Sequence, residues 1–278
     1  MSKILTTPYL TGFDVKPARI YPIGTVTFTD GTSEITPNQL QCEAYGYKYN
    51  KVTRTCSAFK YNSNLDRNIS NINNKINGAG NTTFTNTNNT YIIGDKNTVR
   101  GNSRNNIVVG NQNEIANSVN NAFVYGTLGE ATADNSIVLG GNAPTDNLSE
   151  RQSIQLLYGT QTTAGGTVDS YLNNITDNYF TIPENTAMYF HADVLAVRVG
   201  GTSGSGAAGD FLSWVERGVV INKSGTLSIE RERDTIKGSG SHTNWRPTAT
   251  VDGTNFIIDV RGATDVTIEW ASNIRFTQ

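Results

Sequence analysis

A six-residue motif that recurs at a nearly constant spacing limits what this chain can fold into. The motif consists of Asn, a variable residue, three apolar residues and Gly, and it occurs four times in the middle of the sequence. Successive motif glycines lie 16, 16 and 14 residues apart. Such a period is typical of a solenoid, in which each repeat is one coil that is stabilised by stacking on the next. The motif residues are Asn89, Gly94, Asn105, Gly110, Asn121, Gly126, Asn135 and Gly140.

The Asn and Gly of the motif are predicted to form the turns of each coil. Glycine adopts positive φ without steric cost. Asparagine tolerates the same region, and stacked asparagines can form hydrogen-bonded ladders. The apolar triplet predicts a strand with side chains facing both the coil interior and an interface. Weaker half-repeats at 97–101, 113–117 and 129–133 predict a second, shorter strand in each coil.

This repeat resembles the head repeat of trimeric autotransporter adhesins, although two of its coils are longer than in that family. The resemblance implies a left-handed parallel β-roll, here assigned to residues 66–150. It also implies that three rolls pack about a threefold axis, so a homotrimer is expected.

Residues 1–65 are predicted to form a separate small N-terminal module. Two short strands around Asp30-Gly31 predict a tight hairpin. Thr36, followed by Pro37 and Gln39, predicts the start of a helix. Cys42 and Cys56 are the only cysteines, and the sequence leaves a disulfide and two reduced thiols equally open.

Residues 151–278 contain many short strand patterns separated by Gly-rich turns, which predicts a β-sandwich. The segments 193–199, 209–214, 252–255 and 268–277, together with the Gly-rich loop between the first two, resemble the C-terminal domain of many phage tail-fibre and virion-appendage proteins. That resemblance implies a trimer on the outside of a particle. A Gly-rich loop is a candidate receptor-facing tip, formed by Gly200, Gly201, Thr202, Ser203, Gly204, Ser205 and Gly206.

Composition and charge exclude several partners. The net charge is −2, and no run of Lys and Arg forms a basic stripe, so nucleic-acid binding is not expected. No apolar stretch is long enough to span a membrane. The first residues do not resemble a signal peptide, which predicts synthesis in a host cytoplasm without Sec export.

Candidate catalytic groups are few. His191 lies in an apolar strand pattern and is expected to be a packed or hydrogen-bonded core imidazole, whereas His242 is expected to be exposed. Four carboxylates of the repeat region could serve a glycosidase, but turn and half-repeat positions favour solvated surface groups. We therefore expect no catalytic, metal or cofactor site and no enzymatic activity. The four carboxylates considered for a glycosidase are Asp95, Glu114, Glu130 and Asp134.

The sequence thus predicts an all-β, homotrimeric subunit of a phage surface fibre on the exterior of the virion. The favoured function is a tail fibre that attaches to a host receptor or glycan, with other virion proteins as partners of the N-terminal module. A purely structural head fibre or capsid decoration is the main alternative. A bacterial trimeric adhesin and a glycan-depolymerising tailspike are less favoured.

Overall fold

The computed structural model describes residues 15–21, 24–58, 73–202, 206–239 and 244–278. The chain forms two compact units, residues 1–69 and residues 70–278. The described part is all-β apart from one short helix, as predicted. None of its helices has the length and apolar character needed to cross a membrane.

The first unit is a small antiparallel sheet with a helix packed on it. The predicted hairpin is present, and the Asp30 carboxylate accepts hydrogen bonds from the backbone N–H groups of Thr32 and Ser33 at 2.9 and 2.8 Å. The core contains Phe28 and the disulfide between Cys42 and Cys56, whose Cα atoms are 5.7 Å apart. The elements are β1 (Lys16–Ile20), β2 (Thr25–Thr29), β3 (Glu34–Ile35), α1 (Gln39–Ala44), β4 (Lys48–Asn50) and β5 (Thr55–Ser57).

The helix begins two residues later than predicted. Asn38, not Thr36, is its N-cap, because the Asn38 side chain accepts from the backbone N–H of Gln41 at 2.9 Å. The Gln41 side chain accepts in return from the Asn38 backbone N–H at 2.9 Å. This reciprocal pair satisfies two N–H groups that the first turn otherwise leaves without partners.

The second unit begins with the predicted solenoid. The strands formed by the apolar triplets, here called the strong strands, pair in parallel and in register. Val108 therefore lies between Ile92 and Val124 of the neighbouring coils. The shorter strands of the half-repeats, here called the weak strands, stack in the same way on the opposite side of each coil. The strong strands are β6 (Lys75–Asn77), β8 (Tyr91–Ile93), β10 (Ile107–Asn111), β12 (Phe123–Thr127) and β14 (Ile137–Gly141). The weak strands are β7 (Thr82–Thr83), β9 (Thr98–Val99), β11 (Glu114–Ile115) and β13 (Glu130–Ala131).

The sheet of strong strands continues without a break into the C-terminal region. Strand β14 pairs antiparallel with the next strand, and the sheet extends through four more strands to its edge. One hydrophobic core runs from the coil interior into this region. The added strands, in sheet order, are β15 (Gln152–Thr162), β23 (Val266–Thr277), β18 (Thr186–Gly201), β19 (Phe211–Lys223) and β20 (Thr226–Gly238). We call the whole assembly the main sheet.

A smaller sheet covers the inner face of the C-terminal part of the main sheet and completes a β-sandwich. Its strands are β16 (Thr167–Leu172), β17 (Phe180–Thr181), β21 (Arg246–Asp252) and β22 (Asn255–Arg261). Strand β16 pairs with both β15 and β22 and therefore joins the two sheets. Strand β16 was not predicted from the sequence, because its polar residues obscure the apolar alternation.

Candidate functional site

The outer face of the solenoid carries two rows of apolar side chains. The middle residue of each triplet, such as Val108 or Val124, is fully buried inside the coil. Its two neighbours point outward because side chains alternate along a strand. Tyr125 and Leu139 are 55% and 50% exposed. We call these rows the apolar ladder; they are Tyr91, Ile107, Phe123 and Ile137, and Ile93, Val109, Tyr125 and Leu139.

The motif asparagines lie at the corner that precedes each strong strand. Asn89, Asn105, Asn121 and Asn135 all have φ between 52° and 57°, in the left-handed region. The side-chain amide of Asn89 donates to the side-chain oxygen of Asn105 at 3.1 Å, and Asn105 donates to Asn121 at 3.2 Å. A second amide ladder, Asn81, Asn97 and Asn113, runs through the coil interior.

The motif glycines end the strong strands, and three of the four have positive φ. Gly94, Gly110 and Gly126 have φ of 120°, 128° and 112°. Gly140 lies outside the left-handed region, which differs from the prediction. It belongs to the last coil, where β14 pairs in parallel with β12 on one side and antiparallel with β15, not with a further coil, on the other.

A groove of about 640 Å³ lies on the outer face of the main sheet, beside the last coil. Strands β15, β23 and β18 form its floor, where Leu157, Asn273 and Asp193 are aligned across the three strands. A wall is formed by the turn at Asn173 and Asn174, which directly follows β16. Further lining residues are Asn135, Gly159, Leu195, Glu269 and Ala271.

The groove combines amides and two carboxylates with a mainly apolar lining. Amides offer both donors and acceptors, and carboxylates accept hydrogen bonds. The carboxylates of Asp193 and Glu269 cannot act together on one bond, because the cross-strand partner of Asp193 is four residues from Glu269. That offset corresponds to roughly 14 Å along a strand, whereas paired glycosidase carboxylates lie about 5–9.5 Å apart. This groove is therefore suited to binding and not to cleavage by this pair.

A different carboxylate pair lies on the weak strands of the solenoid. Glu114 and Glu130 are neighbours in the parallel register of β11 and β13. Arg100 donates to both carboxylate oxygens of Glu114, at 2.6 and 3.2 Å. Burial raises the pKa of Glu130, the Ser149 hydroxyl partly opposes this, and the charge of Glu114 raises it further. The pair thus joins an ion-paired carboxylate to one whose pKa is raised by burial.

The other two carboxylates weighed in the sequence hold turns. Asp95 accepts from the backbone N–H of Ala79 at 2.6 Å, and Asp134 accepts from that of Asn120 at 2.7 Å. His191 is not a core residue; it lies half-buried on the outer face, 3.2 Å from the Asp193 carboxylate. His242 lies outside the described residues.

The Gly-rich candidate loop is only partly described. Gly200 and Gly201 end β18, and their carbonyl oxygens accept hydrogen bonds from Arg198. Thr202 donates its backbone N–H to the Asp265 carbonyl at 3.1 Å. Ser203, Gly204 and Ser205 lie outside the described residues, and the receptor-facing role of the loop stays a prediction.

A third acidic pair, which was not predicted from the sequence, is formed by Asp169 on β16 and Asp259 on β22. The two residues are directly opposite each other across the strands. The Tyr179 hydroxyl donates to the Asp169 carboxylate at 2.6 Å. The only sequence signal is the alternation of Asp169 and Tyr171 with the buried Ser170 and Leu172.

Comparison with known proteins gives weak structural similarity to phage tailspikes. No family model and no curated protein matches the chain. The tailspike of Acinetobacter phage vB_ApiP_P1 matches with a TM-score of 0.27 and 11% identity, covering 76% of this chain and 55% of that chain. The tailspike of Acinetobacter baumannii phage AM24 has the same TM-score and identity, with 74% and 48% covered. The chain thus spans about half the length of these two tailspikes.

A third match is the tailspike gp49 of Acinetobacter baumannii bacteriophage Fri1, with a TM-score of 0.23 and 7% identity, covering 69% of this chain and 40% of that chain. That protein is a capsular polysaccharide depolymerase. This comparison contradicts the prediction that the chain is not an enzyme. The resemblance to autotransporter heads stays a prediction.

Proposed function

We propose that this chain is a subunit of a phage surface appendage that attaches the particle to a host-surface glycan. The carrying observation is the apolar ladder, which gives four successive coils, from β8 to β14, an outer face of apolar side chains. Monomeric soluble proteins seldom expose large contiguous apolar patches, and such patches commonly mark interfaces.

Further copies of the same chain are the partners that fit the ladder best. Burying one Leu- or Ile-sized side chain contributes about 1.5–3 kcal/mol. Both rows lie on a parallel, in-register sheet and run along the long direction of the solenoid. The ladders of two or three copies can therefore pack against each other along that direction. Together with the resemblance to trimeric rolls, this supports a homotrimer on the virion exterior, with the first unit attached to the particle.

The assembly is tested by light scattering on the purified chain and on a Tyr125→Lys, Leu139→Lys double variant. We expect a trimer mass for the parent chain and a monomer mass for the variant. Burying two unpaired lysine charges in the interface costs more free energy than the apolar contacts supply. Thr132→Lys is the matched control, since Thr132 is exposed on the other side of the solenoid. A monomeric parent chain at micromolar concentration would contradict the proposal.

The groove is proposed as the glycan site. Its amides and carboxylates match the hydroxyl groups of a saccharide, and its apolar floor matches the less polar face of a sugar ring. The test measures retention of labelled chain on bacterial strains and on surface polysaccharide isolated from any strain that is bound. An Asp193→Ala, Asn273→Ala variant should lose retention, whereas Glu184→Ala should not. A chain that is fixed on capsids but binds no strain would instead favour structural decoration.

Polysaccharide cleavage is a second candidate function, and the Glu114–Glu130 pair favours it. Neighbouring strands are about 4.8 Å apart, close to the roughly 5–5.5 Å separation of carboxyl groups in retaining glycosidases. Glu130 would protonate the leaving oxygen while Glu114 forms a glycosyl ester, which water then hydrolyses. An acid with a raised pKa and an ionised nucleophile are needed for these two roles. Burial raises the pKa of Glu130, and Arg100 pairs with the Glu114 carboxylate.

Release of reducing ends from a bound polysaccharide tests this activity. Glu130→Gln should remove it while glycan retention in the groove persists, and Glu150→Gln is the matched surface control. Equal reducing-end release by the parent chain and Glu130→Gln would exclude this pair as the catalytic centre.

A further inference from the structure

The carboxyl groups of Asp169 and Asp259 face each other where the small sheet is joined to the main sheet. The register of β16 on β22 places them directly opposite, where the two side chains can share a hydrogen bond. Two carboxyl groups can form such a bond only when one of them carries a proton. Both residues are half-buried, so water screens them incompletely.

The pair is surrounded by two tyrosines, a further carboxylate and one arginine. On the side of Asp169 lie the Tyr179 hydroxyl, which donates to the Asp169 carboxylate, and Tyr171, whose ring centroid is 5.7 Å from that of Tyr179. Asp177 contributes a further negative charge near both tyrosines. On β21 the residue opposite Asp259 is the uncharged Thr248. Arg231 of β20 is the cation that acts on Asp259.

Burial, the charge of Asp169 and the shared hydrogen bond raise the pKa of Asp259 to about 6, and Arg231 opposes this shift. The folded chain therefore holds a proton that the unfolded chain releases near pH 4. The resulting stabilisation is fully present below the unfolded pKa and is lost as the pH rises through about 6. Above that pH, two negative charges face each other across β16 and β22.

Strand β16 transmits this change to the groove. Its last residue, Leu172, precedes the turn at Asn173 and Asn174 that forms the groove wall. The turn is bonded to the end of β16, because Asn174 donates its backbone N–H to the Tyr171 carbonyl at 3.0 Å. Asn173 also donates its backbone N–H to the Leu157 carbonyl at 2.8 Å and its side-chain amide to the Asp134 carbonyl at 3.0 Å. A looser β16 therefore gives a more mobile wall.

We propose that Asp169 and Asp259 form a proton-dependent clasp that holds β16 and the groove wall in place when one proton is shared and loosens them when both groups are ionised. The clasp itself is a property of the fold, whereas its effect on ligand binding rests on the proposed glycan function of the groove.

Hydrogen exchange of peptides covering 167–174, measured at about pH 5 and about pH 7.5 and corrected for intrinsic rates, tests the clasp. Protection in the parent chain should fall by about tenfold between the two conditions, which corresponds to one pKa unit of coupling. Asp259→Asn can bond to Asp169 at either pH, so its protection should stay constant. Asp252→Asn, which changes an exposed carboxylate on β21, should behave like the parent chain.

Constant protection in the parent chain, or the same fall in Asp259→Asn, would overturn the proposal. A melting temperature of Asp259→Asn close to that of the parent at about pH 5 verifies that the variant folds. The second measurement is glycan retention at the same two pH values. Weaker retention at the higher pH in the parent chain, but not in Asp259→Asn, would show that the clasp affects binding in the groove. If no glycan binds at any pH, the proposed function fails while the exchange result still decides the clasp.

Discussion

Gly110 lies so close to Gly126 of the next coil that a Cβ atom at Gly110 would sit 1.9 Å from the Gly126 carbonyl oxygen. Gly94 has the same relationship to Gly110, at 2.0 Å, and Gly126 to Gly140, at 2.1 Å. These contacts involve backbone on both sides, which cannot rotate away as a side chain can. Gly94, Gly110 and Gly126 are therefore required both for positive φ and for the spacing between coils.

Gly110→Ala should lower the free energy of unfolding by about 2–6 kcal/mol, since left-handed strain and overpacking each cost about 1–3 kcal/mol. The control is Gly225→Ala, because Gly225 has a φ of 82° but open space around its missing Cβ. The free energy of unfolding of that variant should fall only by the cost of the left-handed strain, about 1–3 kcal/mol. Denaturant melts of both variants measure the difference, and equal losses would refute the steric role of the coil contacts.

Asn113 should contribute more to stability than the exposed motif asparagines. It is 1% exposed, accepts from the Gly129 N–H at 2.9 Å, and donates to the Gly126 carbonyl at 2.9 Å. Asn113→Leu leaves both buried groups without partners, at about 1–3 kcal/mol each. Asn105→Gly keeps the left-handed corner and should cost less than about 1 kcal/mol. Thermal melts that rank Asn105→Gly as the more damaging change would contradict this account.

The disulfide between Cys42 and Cys56 should stabilise the first unit alone. It closes a sequence separation of 14 residues, and such a loop contributes roughly 3 kcal/mol. Reductant, or the Cys42→Ala, Cys56→Ala double variant, should lower the melting transition of that unit. The transition of residues 70–278 should not move. A reductant effect that persists in the double variant would show that another cause is at work.

The edge strand β20 should resist pairing with a second copy of itself. In the described residues it pairs only with β19, and its segment 230–234 alternates Glu, Arg, Glu, Arg and Asp. An antiparallel self-pairing that keeps the sheet faces aligned places Glu230 opposite Asp234, and like charges directly opposite are destabilising. Glu230→Val with Asp234→Val should therefore produce concentration-dependent aggregation in light scattering, and Glu184→Val should not.

The sequence by itself determined the solenoid. The spacing of the motif glycines sets the coil length, and the apolar triplet decides that one residue points inward and two point outward. Both properties are local, because the backbone geometry of a strand and the φ preference of Gly and Asn act within a few residues. The hairpin at Asp30 followed from the same kind of local signal.

Tertiary structure decided what the sequence could not. Gly140 departs from the other motif glycines because its neighbour is the antiparallel β15 and not a further coil. The groove draws its floor from β15, β18 and β23, and Asp169 meets Asp259 across a register that joins segments 90 residues apart. Such meetings depend on strand order and register, which arise from the burial of a shared core and leave no periodic trace in the chain.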